Sequence, residues 1–191
     1  MKHLKRVGSA LTVAAALALF SAGSASATTL EVGGKAKTES VNLTATLKSG
    51  TSAITRDTSG LAANTCAASE VKGATSSPFT GTSVTGAVST LTFSNCSREP
   101  VTKDAGGTLH FTWTSGTNGT VVSSGAEWTI GSPFGTLNCK TGAGTHLGTL
   151  TGVASGHATI DINSFLSCSG IWLKWEGTYT VTSPTGLGVV S

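Results

Sequence analysis

The chain has 191 residues, with twelve Lys and Arg, nine Asp and Glu, and four Cys. Three of the bases, Lys2, Lys5 and Arg6, lie in the first six residues, so the rest of the chain sets nine bases against nine acids. A neutral, sparsely charged body speaks against nucleic-acid binding, which needs several phosphate-neutralising bases, and against electrostatic attachment to anionic lipid.

The first 27 residues carry the three parts of a secretory signal peptide. A basic start leads into Val7–Phe20, mostly Ala, Leu and Val, and then into small residues ending Ala25-Ser26-Ala27. The apolar run is about 14 residues, short of the roughly 20 that cross a bilayer as a helix. No Cys sits at the cleavage site and Arg6 has no Arg neighbour, which leaves no mark of a lipoprotein or of twin-arginine export. The expectation is a mature chain from Thr28 to Ser191, one domain, secreted or held in the cell envelope.

Strict alternation then predicts strands. Val41, Leu43, Ala45 and Leu47 share one face, and Leu109, Phe111 and Trp113 another. Ala158, Ile160 and Ile162 repeat the pattern, as do Tyr179 and Val181. Period two with one apolar face is half-buried antiparallel sheet. Lys48-Ser49-Gly50, Asp57-Thr58-Ser59-Gly60, Asn118-Gly119 and Ser183-Pro184 punctuate the runs. Asn118-Gly119 suggests a hairpin between the Leu109–Thr114 run and Val121-Val122. No segment after residue 28 has a helical period. The predicted fold class is all-β over about residues 30 to 183, an antiparallel β-sandwich or a closed barrel.

All four cysteines, Cys66, Cys96, Cys139 and Cys168, fall in the exported part, and an even count there predicts two disulfides. A loose internal repeat places Phe93 three residues before Cys96 and Phe165 three before Cys168, with Thr-Gly pairs upstream of each. Local pairing, Cys66 with Cys96 and Cys139 with Cys168, follows from that repeat. Without a C-x-x-C or H-x-x-x-H pair, no metal site and no cofactor is expected.

Catalytic patterns are sparse. There is no G-x-S-x-G, and the acids are scattered singly, so no glycosidase pair stands out. His157 and Asp161 would share a strand face, but about 13 Å apart. The feature that invites a binding role is Ile171-Trp172-Leu173-Lys174-Trp175-Glu176. Alternation there sends Trp175 inward with Leu173 and Tyr179, and Trp172 outward with Lys174. An exposed Trp stacks on sugars or anchors interfaces, so Trp172 and Lys174 are the expected contact residues.

The Thr29–Gly34 start, the Ser77–Thr82 block and the Leu147–Ala158 block make the mature chain resemble a group of small secreted β-rich proteins from high-GC Gram-positive bacteria. The resemblance implies export and supplies neither activity nor site residues. The functional expectation is a non-enzymatic binding or structural protein whose partner is a cell-wall or envelope component or another protein. An oligomeric β-barrel pore and a hydrolase with an unrecognised site are the alternatives.

Overall fold

A half-apolar strand must cover one face, and a sheet of such strands does so by curling onto itself. That is the architecture of the computed structural model, which describes residues 27–79 and 81–191. The segment 1–26, nearly all of the signal peptide expected over residues 1–27, lies outside the described residues. Among the described residues there is no helix.

Eight strands form an unbroken antiparallel circuit. In order around the wall they are β3 (Asn42–Leu47), β5 (Ala62–Thr75), β6 (Val84–Cys96), β8 (Thr108–Ser115), β9 (Asn118–Ser124), β12 (Thr145–Thr151), β13 (Thr159–Cys168) and β14 (Ile171–Ser183), and β14 pairs with β3 again. The fold is therefore a closed barrel, not a sandwich. Four of its strands, β5, β6, β13 and β14, are 14, 13, 10 and 13 residues long and outrun their neighbours. Their far ends carry a second group of strands. There β4 (Ala53–Arg56) replaces β3 between β14 and β5. On the other side β11 (Gly135–Lys140), β10 (Glu127–Ser132) and β7 (Val101–Ala105) extend outward from β13.

The opposite end is capped by a small sheet of the first two and the last described strands. β1 (Thr29–Val32) pairs with β2 (Lys35–Ala36) and with β15 (Leu187–Val190), burying Leu30, Leu187 and Val189. Thr28 is buried beside them. Its hydroxyl donates to the Thr82 carbonyl and accepts from the Trp113 amide.

The inward side chains are largely those that alternation selects. Phe111, Ala158, Ile160, Ile162, Tyr179 and Val181 are buried, with Leu43, Leu47, Leu109 and Trp113 packed against them. Where β4 takes over beside β14, Trp175 meets Trp128 at 5.4 Å, Phe93 at 6.2 Å and Tyr179 at 6.3 Å between ring centres. Tilted and edge-on pairs at these spacings suit the ring quadrupoles. The hairpin between β8 and β9 forms as expected, but it turns at Gly116-Thr117, where Gly116 takes a φ of 56°. Asn118 and Gly119 already belong to β9. Gly119 lies so close to the Thr112 carbonyl and the Val189 side chain that a Cβ would not fit.

Both disulfides join residues directly opposite each other. Cys66–Cys96 ties β5 to β6, and Cys139–Cys168 ties β11 to β13. Pairing is local, but the two units differ. The first staples consecutive strands, whereas the second bridges strands between which β12 departs to the barrel. Each closes a loop of 30 or 29 residues, for which chain entropy gives about 3–4 kcal/mol.

Two outcomes follow. The double substitution Cys139→Ser with Cys168→Ser should lower the urea midpoint by the equivalent of about 3 kcal/mol without changing the far-ultraviolet sheet spectrum. Tyr179, the single tyrosine of the chain, is buried with its hydroxyl 3.0 Å from Ser69 Oγ. Burial pushes its pKa up to about 12, although the Ser69 hydrogen bond works the other way. A raised phenol pKa makes the neutral form part of the folded state. Its contribution is whole below the ordinary value near 10 and is lost as pH rises through 12, a loss of about 3 kcal/mol. Absorbance titration of the folded protein should show tyrosinate forming near pH 12, and ionisation near 10 would contradict the buried placement.

Candidate functional site

The β13–β14 hairpin presents two opposite faces. Register pairs Phe165 with Lys174, Leu166 with Leu173, and Ser167 with Trp172. Leu166, Leu173 and Trp175 point inward and are buried, Trp175 at 6% exposure. The intervening residues point out: Trp172 is 59% exposed and Phe165 53%. Alternation thus separates the two tryptophans as expected. Trp172 lies two residues from Lys174, the partner of Phe165, so the two exposed rings are diagonal neighbours within reach of each other. Ile171, at the hairpin's start, is 40% exposed and sits opposite Cys168.

Charged side chains border this apolar surface, two cations sharing one carboxylate. The Lys174 ammonium donates to Glu176 Oε1 at 2.8 Å, and Arg56 Nε of β4 donates to Glu176 Oε2 at 2.8 Å. Lys174 first, and Arg56 second, hold the Glu176 carboxyl below its ordinary pKa. The triad therefore stays charged at neutral pH. Its contribution is present above the ordinary carboxylate range and fades as pH falls through the lowered value. All three side chains are about one-third exposed, so the triad orients the surface more than it stabilises the fold. Lys174 is thus half-buried in an ion pair rather than a free cation.

Sequence reasoning missed several exposed apolar side chains. Phe165 was legible, since Ile160, Ile162 and Leu166 on the buried face force it outward. Leu61 and Phe134 were not. Both sit in turns beyond the disulfides and are the most exposed large apolar side chains described. Leu61 is held there by an Asp57 turn, in which Asp57 Oδ1 accepts from the amides of Ser59 and Leu61 and from the Ser59 hydroxyl. The Ser59 hydroxyl is the main cause that lowers the Asp57 pKa.

The other residues considered do not assemble. His157 lies before β13, its Nδ1 2.9 Å from the Val181 carbonyl oxygen. Asp161 Oδ1 accepts from the Thr178 hydroxyl. His110 lies between the hydroxyls of Thr85 and Thr108. Among the described residues no group of His, Cys, Asp and Glu has metal-binding geometry. No family model, curated protein or solved structure matches the chain.

Of the four tryptophans, Trp128 and Trp175 are buried and Trp113 is half-buried. Trp172→Phe should therefore remove most of the acrylamide-quenchable emission while leaving the melting temperature within a few degrees. Unchanged quenching, or a loss of several kcal/mol, would place Trp172 in the core instead.

Proposed function

We propose that this is an exported, non-enzymatic binding protein that docks a protein partner in the cell envelope through the outer face of β13–β14. The observation that carries this is the adjacency of two exposed aromatic side chains, Phe165 and Trp172, on the outer face of one hairpin. Such a surface is costly to leave in water unless it is used. An aromatic centre beside an ion-paired border has the anatomy of a protein–protein hot spot, where Trp is enriched and the rim excludes water. Two disulfides support export, because they persist in oxidising compartments.

The pore alternative requires the reverse alternation. A membrane-spanning barrel turns apolar residues to lipid and polar ones to its lumen. Here Ile160, Ile162 and Val181 face inward, while Asp161, Asn163 and Thr178 face outward. The hydrolase alternative has little to build on, since His157 and Asp161 are each bonded to other groups.

Retention of envelope proteins and of purified peptidoglycan on the immobilised full chain tests the proposal. Trp172→Ala should weaken protein retention by about thirtyfold or more, the least expected for a hot-spot Trp, with the melting temperature unchanged. Equal retention by wild type, Trp172→Ala and Phe165→Ser would overturn it. Retention on peptidoglycan alone would replace the protein partner by a glycan.

A further inference from the structure

Closing eight strands leaves an interior that side chains fill, or that holds one small ligand. Here filling is incomplete. A cavity of about 80 Å³ lies inside the barrel, several times the roughly 10–15 Å³ that one water needs on the same measure. Its origin is visible in the inward positions. Ala45 on β3, Gly73 on β5, Gly86 on β6 and Ser123 on β9 are small residues of its lining. Larger residues complete the wall, among them Phe111, Ile162, Val181 and the two indoles Trp128 and Trp175.

The polar groups that reach this space are already bonded. Ser123 and Thr141 share a hydrogen bond of 3.2 Å, and Thr141 Oγ1 also accepts from the Ala126 amide at 2.9 Å. The Tyr179 hydroxyl is bonded to Ser69. Among the described residues no buried side-chain nitrogen or oxygen lacks a partner. Water entering the cavity would find no unpartnered side-chain group to satisfy, and apolar cavities stay dry and take up hydrocarbons. A polar ligand would forfeit its hydrogen bonds to water with nothing in return.

We infer that the barrel interior is a binding site for a small, uncharged, apolar molecule, a single aromatic ring or a short hydrocarbon. The site is recognised by shape and apolarity alone. It is separate from the β13–β14 face, because inward and outward side chains of one strand point to opposite sides of the wall. Leu187 of the terminal cap also lines it, so the β1–β15 sheet is part of the enclosure.

Benzene and hexane are suitable probes, with phenol as the polar counterpart of benzene. Near-saturating benzene or hexane should raise the melting temperature by several degrees, since a ligand of the folded state alone stabilises it by mass action. It should also change the emission of wild type and of Trp172→Phe alike, because Trp128 and Trp175 line the site. Phenol at the same concentration should do markedly less. Ala45→Leu fills the space from a position already facing it, and it should abolish the benzene response. Val71→Leu, from another lining position, does the same if Ala45→Leu proves unstable. No shift with either hydrocarbon, or an undiminished shift in a folded filled variant, would overturn the inference. The envelope-retention experiment with Trp172→Ala is indifferent to both results.

Discussion

Everything in this molecule depends on β14 finding a partner along both of its edges. On one side β13 pairs with it at ten successive positions, from Ile171 to Thr180. On the other, β3 takes Tyr179 to Ser183 and β4 takes Lys174 to Glu176. Two short strands thus do the work of one long one. They bring β14 back to β5, and the hydrogen-bond ladder closes. Closure removes the exposed edges that make an open sheet of Thr-rich strands prone to pair with other chains. It also creates an inside, and hence a core, in a chain with no helix among its described residues to cover a sheet face.

A barrel whose strands differ so much in length is circular at one end and branched at the other. Where β5, β6, β13 and β14 outrun their partners, β4 and the β7–β10–β11 sheet take over. That end carries the aromatic packing of Trp128 against Trp175, and both disulfides. The second ring has no strand pairing between β6 and β7. The Lys103 ammonium spans that gap to the Ser89 carbonyl at 2.6 Å. Covalent links tie β5 to β6 and β11 to β13, on either side of the place where the ladder is interrupted. Cross-links that restrict the unfolded chain offset what the missing ladder does not supply.

Where strands are regular, the sequence announces them. The inward sets on β3, β8, β13 and β14 are what period-two alternation selects, and the cysteine pairing follows from spacing. Alternation fails where the ladder slips. Between Lys72 and Gly73 the register with β6 shifts by one residue. That bulge at Ser89 moves the inward set of β6 from Val84, Gly86 and Val88 to Leu91 and Phe93. A one-residue shift exchanges the faces of everything downstream, so no single pattern runs through β6. β15 is obscure for another reason. Leu187, Gly188 and Val189 are all buried, because a cap between termini and barrel has no wet face, and a short apolar run without alternation carries no period to read. The candidate sites divide in the same way. Trp172 needs only local alternation, whereas the cavity depends on four small residues, on four strands, meeting across an axis that exists only after closure.

The disulfide end also bears on what the exposed rings can do. Cys168 ends β13, lies opposite Ile171, and is bonded to Cys139 on β11. Ser169, in the turn of the hairpin, donates its amide to the Asn138 carbonyl, and its hydroxyl accepts from the Asn138 amide. The tip of β13–β14 is therefore fixed to β11 by a covalent bond and two hydrogen bonds within a few residues. On its other edge Arg56 reaches from β4 to Glu176. A binding surface on a free hairpin would lose conformational entropy with every contact it made, for each side chain it immobilised. This hairpin has its backbone ordered when the protein folds. Trp172 and Phe165 then have only their own rotamers to lose, and the charges beside them are already paired. A small apolar patch with little left to order retains more of its burial free energy as affinity than a larger patch on a mobile loop.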